Sequence, residues 1–210
     1  MALSVATNIG AIAASKAASS VNRSMETSME RLSTGMRINA ARDDSAGLAI
    51  ASRLTSEARG LDQAIRNSSD AQAMIDTIES LHNEVADMLQ RIRELAVQAA
   101  NDTNSSADRT NISTEMTALA AEIDSIASNT KWAGQSLVTA SSTFVYQIGD
   151  EGSEDMTVTT SVVAASSLHV TGTTGLSTAG QFTSLIDKVD SAIADIASYR
   201  AELGADSNRL

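Results

Sequence analysis

Apolar side chains return every three or four residues along most of this chain, and the rhythm breaks in only a few places. From residue 5 to residue 33 the pattern is thin, carried by Val5, Ile9, Ile12, Ala17, Val21, Met25, Met29 and Leu32 among many Ser and Ala. It predicts an amphipathic helix whose apolar face is too narrow to stand alone. Ser33-Thr34-Gly35 ends the pattern, since glycine accepts the positive φ of a helix C-cap and the hydroxyls can satisfy orphan backbone groups. A linker follows to about Ala46. A second pattern begins at Asp44 or Ser45, either of which is a good N-cap, and holds to about Ala100 through Leu54, Ala58, Leu61, Ile65, Ile75, Ile78, Leu81, Val85, Met88, Ile92, Leu95 and Ala99. A helix of that length is roughly 80 Å long, which predicts a rod. After the polar turn from Asn101 to Ser106, the run Ile112, Met116, Leu119, Ile123 and Ile126 predicts a helix returning antiparallel to it.

Between Asn129 and Gly180 the period changes. Phe144 to Ile148 and Met156 to Val162 alternate or are β-branched around Gly149-Asp150-Glu151-Gly152-Ser153, so they predict a β-hairpin within Ser-, Thr- and Gly-rich irregular chain or surface insert. Leu185, Ile186, Val189, Ile193, Ile196 and Leu203 then restore helical spacing through about Ala205. The fold class is mainly α: an elongated rod of long antiparallel, coiled-coil-like helices with a small β-hairpin region. Spacing alone leaves two arrangements open, a self-contained three-helix bundle and a subunit whose helices are completed by self-assembly.

Composition agrees with that picture. Of 210 residues, 42% are apolar but only 2% aromatic, so Ala and aliphatic side chains must pack the helices; Pro is absent, and few of the 11 Gly interrupt them. Cys is absent too, which excludes disulfides, thiolate metal sites and a cysteine nucleophile. A net charge of −11 repels phosphate backbones and anionic headgroups, and no run of 18 apolar residues exists. Neither nucleic acid nor membrane is an expected partner. The opening residues lack the basic and apolar regions of a cleaved signal peptide, so no cleavage beyond loss of Met1 is expected.

The chemistry-bearing residues point to no catalytic, metal or cofactor site. His82 and His169 are far apart and in no metal-ligand spacing, and both read as exposed. Asp43-Asp44 reads as a helix cap, and Glu151 with Glu154-Asp155 as a solvated hairpin tip. No glycine-rich loop follows a strand and no serine sits in a nucleophile elbow. On the long helix, Met88, Ile92 and Ala99 gather on one side, while Arg91 and Gln98 point roughly 100° away with Leu95 at the margin. Arg91, Leu95 and Gln98 thus form a narrow stripe within reach of solvent, and spacing alone makes it an ordinary solvated face.

Three stretches carry a resemblance: Met29-Glu30-Arg31-Leu32-Ser33-Thr34-Gly35-Met36-Arg37-Ile38-Asn39, Ala41-Arg42-Asp43-Asp44-Ser45-Ala46-Gly47-Leu48-Ala49-Ile50, and Leu89-Gln90-Arg91-Ile92-Arg93-Glu94-Leu95-Ala96-Val97-Gln98-Ala99-Ala100-Asn101. They closely resemble the N-terminal region of bacterial flagellins, and Trp132-Ala133-Gly134-Gln135-Ser136-Leu137 sits where that family has a Phe-Asn-Gly-type turn. The likeness covers residues 1 to 160 well and 182 to 210 recognisably. It implies a structural, non-enzymatic subunit that polymerises with its own kind into the extracellular flagellar filament for swimming motility, after export through the flagellar type III apparatus. Its implied partners are an export chaperone, the filament cap and the host's flagellin-sensing Toll-like receptor. By the same resemblance, residues 1–43 are the inner-core helix and linker, 44–130 the rod helices, 131–181 the hairpin and insert, and 182–210 the start of a returning rod helix. Arg91, Leu95 and Gln98 match the family's receptor-contact motif, with Glu115 a further contact. The family continues beyond Leu210, so the resemblance reads the chain as C-terminally truncated. The hook-filament junction protein shares this architecture, and a chemoreceptor-like signalling coiled coil is the rival that requires two continuous antiparallel helices.

Overall fold

A computed structural model describes residues 8–173 and 175–210 of the chain. Four helices carry most of it: α1 (Ile9–Thr34), α2 (Ser45–Ala100), α3 (Ser106–Asn129) and α4 (Ala179–Ser207). Between α3 and α4 lie two antiparallel strand pairs, β1 (Lys131–Trp132) with β2 (Gln135–Ser136), and β3 (Ser142–Gln147) with β4 (Asp155–Thr160). Those strands depart from the two uninterrupted helices that a chemoreceptor-like hairpin requires. The chain divides into two compact units at Arg59/Gly60, within α2. Among the described residues no helix is long and apolar enough to cross a membrane.

In the first unit, α1 starts on Asn8, whose side chain accepts from the Ala11 amide, and stops at Gly35 in the left-handed region with φ 68°. None of its residues is buried, as its thin apolar face predicts. The linker is held by carboxylates. Asp43 Oδ2 accepts from the Asn39 and Ala40 amides at 3.2 Å each, and these bonds hold its pKa below the usual carboxylate value. Asp44 Oδ1 accepts from the Gly47 amide at 2.8 Å and so caps α2. Glycine is required at position 47, because a Cβ there would lie 2.8 Å from Asp44 Cγ and 3.0 Å from Ile38 Cδ1. Arg42 joins the linker to α1 through Glu30 at 3.2 Å.

The second unit is a three-helix array with the hairpin against one end of it. Arg93 pairs with Asp190 at 2.6 Å and Glu79 with Arg200 at 3.3 Å, so α4 numbers rise as α2 numbers fall and the two helices are antiparallel. The turn into α3 is closed by a reciprocal box in which the Asp108 amide donates to Ser105 Oγ and the Ser105 amide to Asp108 Oδ2. β3 and β4 present alternate residues inward, pairing Phe144 with Val158 and Tyr146 with Met156, while Val145 and Thr157 face out. The hairpin docks on α2: the Tyr146 hydroxyl donates to Met74 Sδ at 2.9 Å and Asn67 Nδ2 to the Gln147 carbonyl at 2.8 Å. At Gly60 an added Cβ would sit 2.9 Å from Asp150 Cβ.

Of the irregular chain or surface insert that its composition predicts, the segment from Ser161 to Thr173 is the first and not the second. It is irregular, yet Val163, Ala165, Leu168, Val170 and Thr173 are buried in the common core. Val163 donates to the Val138 carbonyl, Ala165 to Asp124 Oδ1, and Ser113 Oγ to the Thr173 carbonyl. These bonds run the segment antiparallel to α3 and return the chain to the start of α4, which a direct connection from the hairpin would miss.

Candidate functional site

The surface of α2 around Arg91 is built from its own helix and from α3. Arg91 Nη2 donates to Glu115 Oε1 at 2.9 Å and Nη1 to Glu94 Oε2 at 3.2 Å, and about half of the Arg91 and Glu115 side chains stays in solvent. The bond from Glu115, then that from Glu94, raises the guanidinium pKa further above its ordinary value, so the group is a fixed cation. Gln98, two turns on, is exposed. Its carbonyl accepts from Asn104 Nδ2 at the α2–α3 turn. Arg91, Gln98 and Glu115 therefore share one polar, accessible surface, fit for a charged or amide partner.

Leu95 does not join them, which corrects its expected place in the solvent-facing stripe. It is 3% exposed and belongs to the core. His82, expected on the surface, is 1% exposed. Both departures have one cause. Taking Ile92 as the centre and about 100° per residue, the buried positions of α2 run from Leu95 at roughly −60° to His82 at +80° and Ile75 at +100°. A helix with one neighbour buries a narrower stripe, but α2 has two. Arg91, near −100°, reaches α3, and Arg93, near +100°, reaches α4. Leu95 and His82 are the margins that these two neighbours cover.

His82 packs beside Tyr199 of α4, ring centroids 6.2 Å apart, and neither ring nitrogen has a hydrogen-bond partner. Burial lowers its pKa from 6.5 to about 4; nearby Arg200 pushes the same way and Glu79 opposes. The ring is thus neutral at ordinary pH and acts as packing. Arg109 is a residue that spacing did not single out. Its Nε donates to the Ala99 carbonyl at 2.9 Å, and its Nη2 to the Asn101 carbonyl at 3.2 Å and to Asp102 at 3.0 Å, so it closes the C-terminal end of α2. The only advance signal was a cation shortly after a polar turn.

Asp44 is the cap of α2 and Asp43 holds the linker amides, and Glu151, Glu154 and Asp155 lie exposed at the hairpin tip. Among the described residues no group of three or more His, Asp or Glu side chains could hold a metal ion.

Comparison with known proteins places these features in a family. The profile of the bacterial flagellin N-terminal helical region matches residues 5–143. Polar flagellin C of Vibrio parahaemolyticus is 37% identical over 182 residues, spanning 86% of this chain and 47% of that protein. Flagellin B of Vibrio cholerae is 40% identical over 155 residues, 73% of this chain and 41% of that protein. The chain thus spans about half the length of the curated relatives it matches. The crystal structure of Bacillus cereus flagellin superimposes with a TM-score of 0.61 at 32% identity, covering 69% of this chain and 84% of that one. A protein of Vibrio parahaemolyticus described as flagellar hook-associated shares the fold alone, with a TM-score of 0.66 at 15% identity over 81% of this chain and 90% of that one.

Proposed function

Because the chain belongs to the bacterial flagellins, we propose that it is a structural, non-enzymatic subunit of an extracellular flagellar filament, packed through its helices against further subunits. The observation that carries this reading is the distribution of uncovered apolar side chains. Residues 60–210 bury a continuous core, yet Val21, Met25, Met29 and Leu32 on α1, and Ile50, Leu54, Leu61 and Ile65 on the first turns of α2, are 45–83% exposed. An uncovered series of this kind marks surfaces that other protein covers. Helix faces of this kind pack into the seams of neighbouring helices. In this reading residues 1–43 serve the inner core, 44–130 the rod, 131–181 the hairpin region and 182–210 the returning helix.

The test supplies an epitope-tagged chain, with monomeric Vibrio flagellin, to filament seeds sheared from a Vibrio strain and locates it by immunogold electron microscopy. Label along the filament shaft is the expected result. Label confined to the hook end would favour the hook-filament junction role, and label absent from filaments would end the reading.

Three finer roles go with it. The chain leaves the cell by the flagellar type III route with an export chaperone and is placed under the filament cap; intact-mass measurement of secreted protein would reveal any processing beyond loss of Met1. The exposed Arg91, Gln98 and Glu115 surface is the contact for the host's flagellin-sensing Toll-like receptor, with Leu95 supporting it from beneath. A charged anchor framed by exposed polar groups supports that reading.

A further inference from the structure

Among the described residues, Met88 is half-buried and the other six methionines fall into two classes. Met74, Met116 and Met156 are 0%, 0% and 1% exposed, whereas Met25, Met29 and Met36 are 58%, 64% and 59% exposed. Met25 and Met29 lie one turn apart on α1, and with Val21 and Leu32 they fall within about 80° of the helix circumference. Toward the amino end the same line continues only through Ala11, Ala14 and Ala18. The two thioethers therefore make up half of the large apolar side chains on that face. No buried residue shields them, because α1 buries none.

We infer that Met25 and Met29 form an oxidation site on the unassembled chain, where peroxide-class oxidants turn the apolar face of α1 polar and block its packing against other subunits. The chemistry is a two-electron oxygen transfer. A sulfur lone pair attacks one peroxide oxygen, the O–O bond breaks as the S–O bond forms, and the departing oxygen leaves after proton transfer as water from hydrogen peroxide or as an alcohol from an alkyl hydroperoxide. The sulfur is oxidised to the sulfoxide and the peroxide is reduced. A sulfoxide oxygen is a strong hydrogen-bond acceptor, and burying two of them in an Ala-, Val- and Leu-lined seam leaves both unpartnered. Sulfoxidation at Met36, beyond the helix in the linker, changes no packing face. The consequence for assembly rests on the filament-subunit reading, whereas the selectivity of the site does not.

The test treats the chain with graded hydrogen peroxide and follows it by tryptic peptide mass. Ser24–Arg31 carries both target residues, and it is expected to gain two oxygens at least about tenfold faster than the peptides holding Met116 and Met156 gain one. Equal rates would overturn the site. Parent chain, oxidised chain and an oxidised Met25→Leu/Met29→Leu variant are then offered to the same filament seeds. The expected result is incorporation of the parent and of the oxidised variant, with at least about fivefold less of the oxidised parent. Equal incorporation of oxidised and untreated parent would overturn the inference while leaving the subunit reading intact. Loss of incorporation in the oxidised leucine variant would do the same. Failure of the untreated parent to incorporate would overturn the subunit reading, and with it the assembly consequence drawn here.

Discussion

Arg91 and Leu95 differ by one helical turn and play opposite parts. Arg91 is held upright by Glu115 and Glu94 on an open surface; under the proposed receptor contact, Arg91→Ala should leave the fold intact while lowering affinity for the Toll-like receptor ectodomain at least roughly tenfold, or about 1.4 kcal/mol, in a surface-plasmon titration. Unchanged affinity in a folded variant would make the surface an ordinary solvated face. Leu95→Ala empties part of the core and should cost about 2 to 5 kcal/mol in denaturant unfolding. Any loss of receptor binding there is therefore read only below the unfolding transition. His82 gives stability a pH dependence. With a folded pKa near 4 and an unfolded one near 6.5, the unfolded chain binds a proton between these values that the folded chain refuses. Stability should fall as pH drops from about 6.5 to about 4 and gain no further loss from His82 below that. Asp43 and Asp108, whose pKa values are lowered, act at more acid pH, where their contribution is lost as they protonate. His82→Leu should flatten the thermal-melt curve between pH 6.5 and 4; an unchanged slope would mean that the ring is hydrated.

The helices were the most legible elements, because an uninterrupted three-four rhythm over dozens of residues has few competing explanations. Gly35 and Asp44 marked their boundaries by local chemistry, and the structure uses both as the sequence suggests. The strand pair at Lys131–Ser136 was legible only as a turn, since Ala133 and Gly134, at φ 49° and 84°, carry the whole element. The segment from Ser161 to Thr173 was legible as irregular chain, but its burial and its return path were not. Its backbone is satisfied by Asp124, Val138 and groups within the segment, and no period announces such bonds. Arg109 belongs to the same class of contact. Its side chain is mostly buried while its Nε holds the Ala99 carbonyl at the end of α2, so Arg109→Met should cost about 1 to 3 kcal/mol by removing that donor, measured by urea unfolding; the Asn101 carbonyl keeps the Asn104 donors. A shift below half a kcal/mol, on the order of experimental scatter, would mean that water replaces the guanidinium.

At the scale of the whole molecule the two units should behave differently. α1 buries nothing, and isolated helices are marginal in water, whereas the helices of residues 60–210 share a core. Hydrogen exchange should therefore be fast across residues 9–34 and slow across 71–99, with slow exchange in α1 contradicting its lack of burial. In the proposed filament role, chains of net charge −11 repel, so incorporation into filaments should rise with salt from about 10 to about 150 mM and then level, as the Debye length shrinks from roughly 30 to 8 Å. Local pattern by itself determined the four helices, the hairpin and the boundaries at Gly35 and Asp44, because each is encoded by residues near one another in the chain, while the family was legible only through the resemblance of three long stretches. Tertiary structure alone decided which margins of α2 are covered. A one-dimensional period locates the centre of a buried face, but its width depends on how many neighbours flank the helix. Two neighbours drew Leu95 and His82 inside and left Arg91 and Glu115 facing each other on the surface.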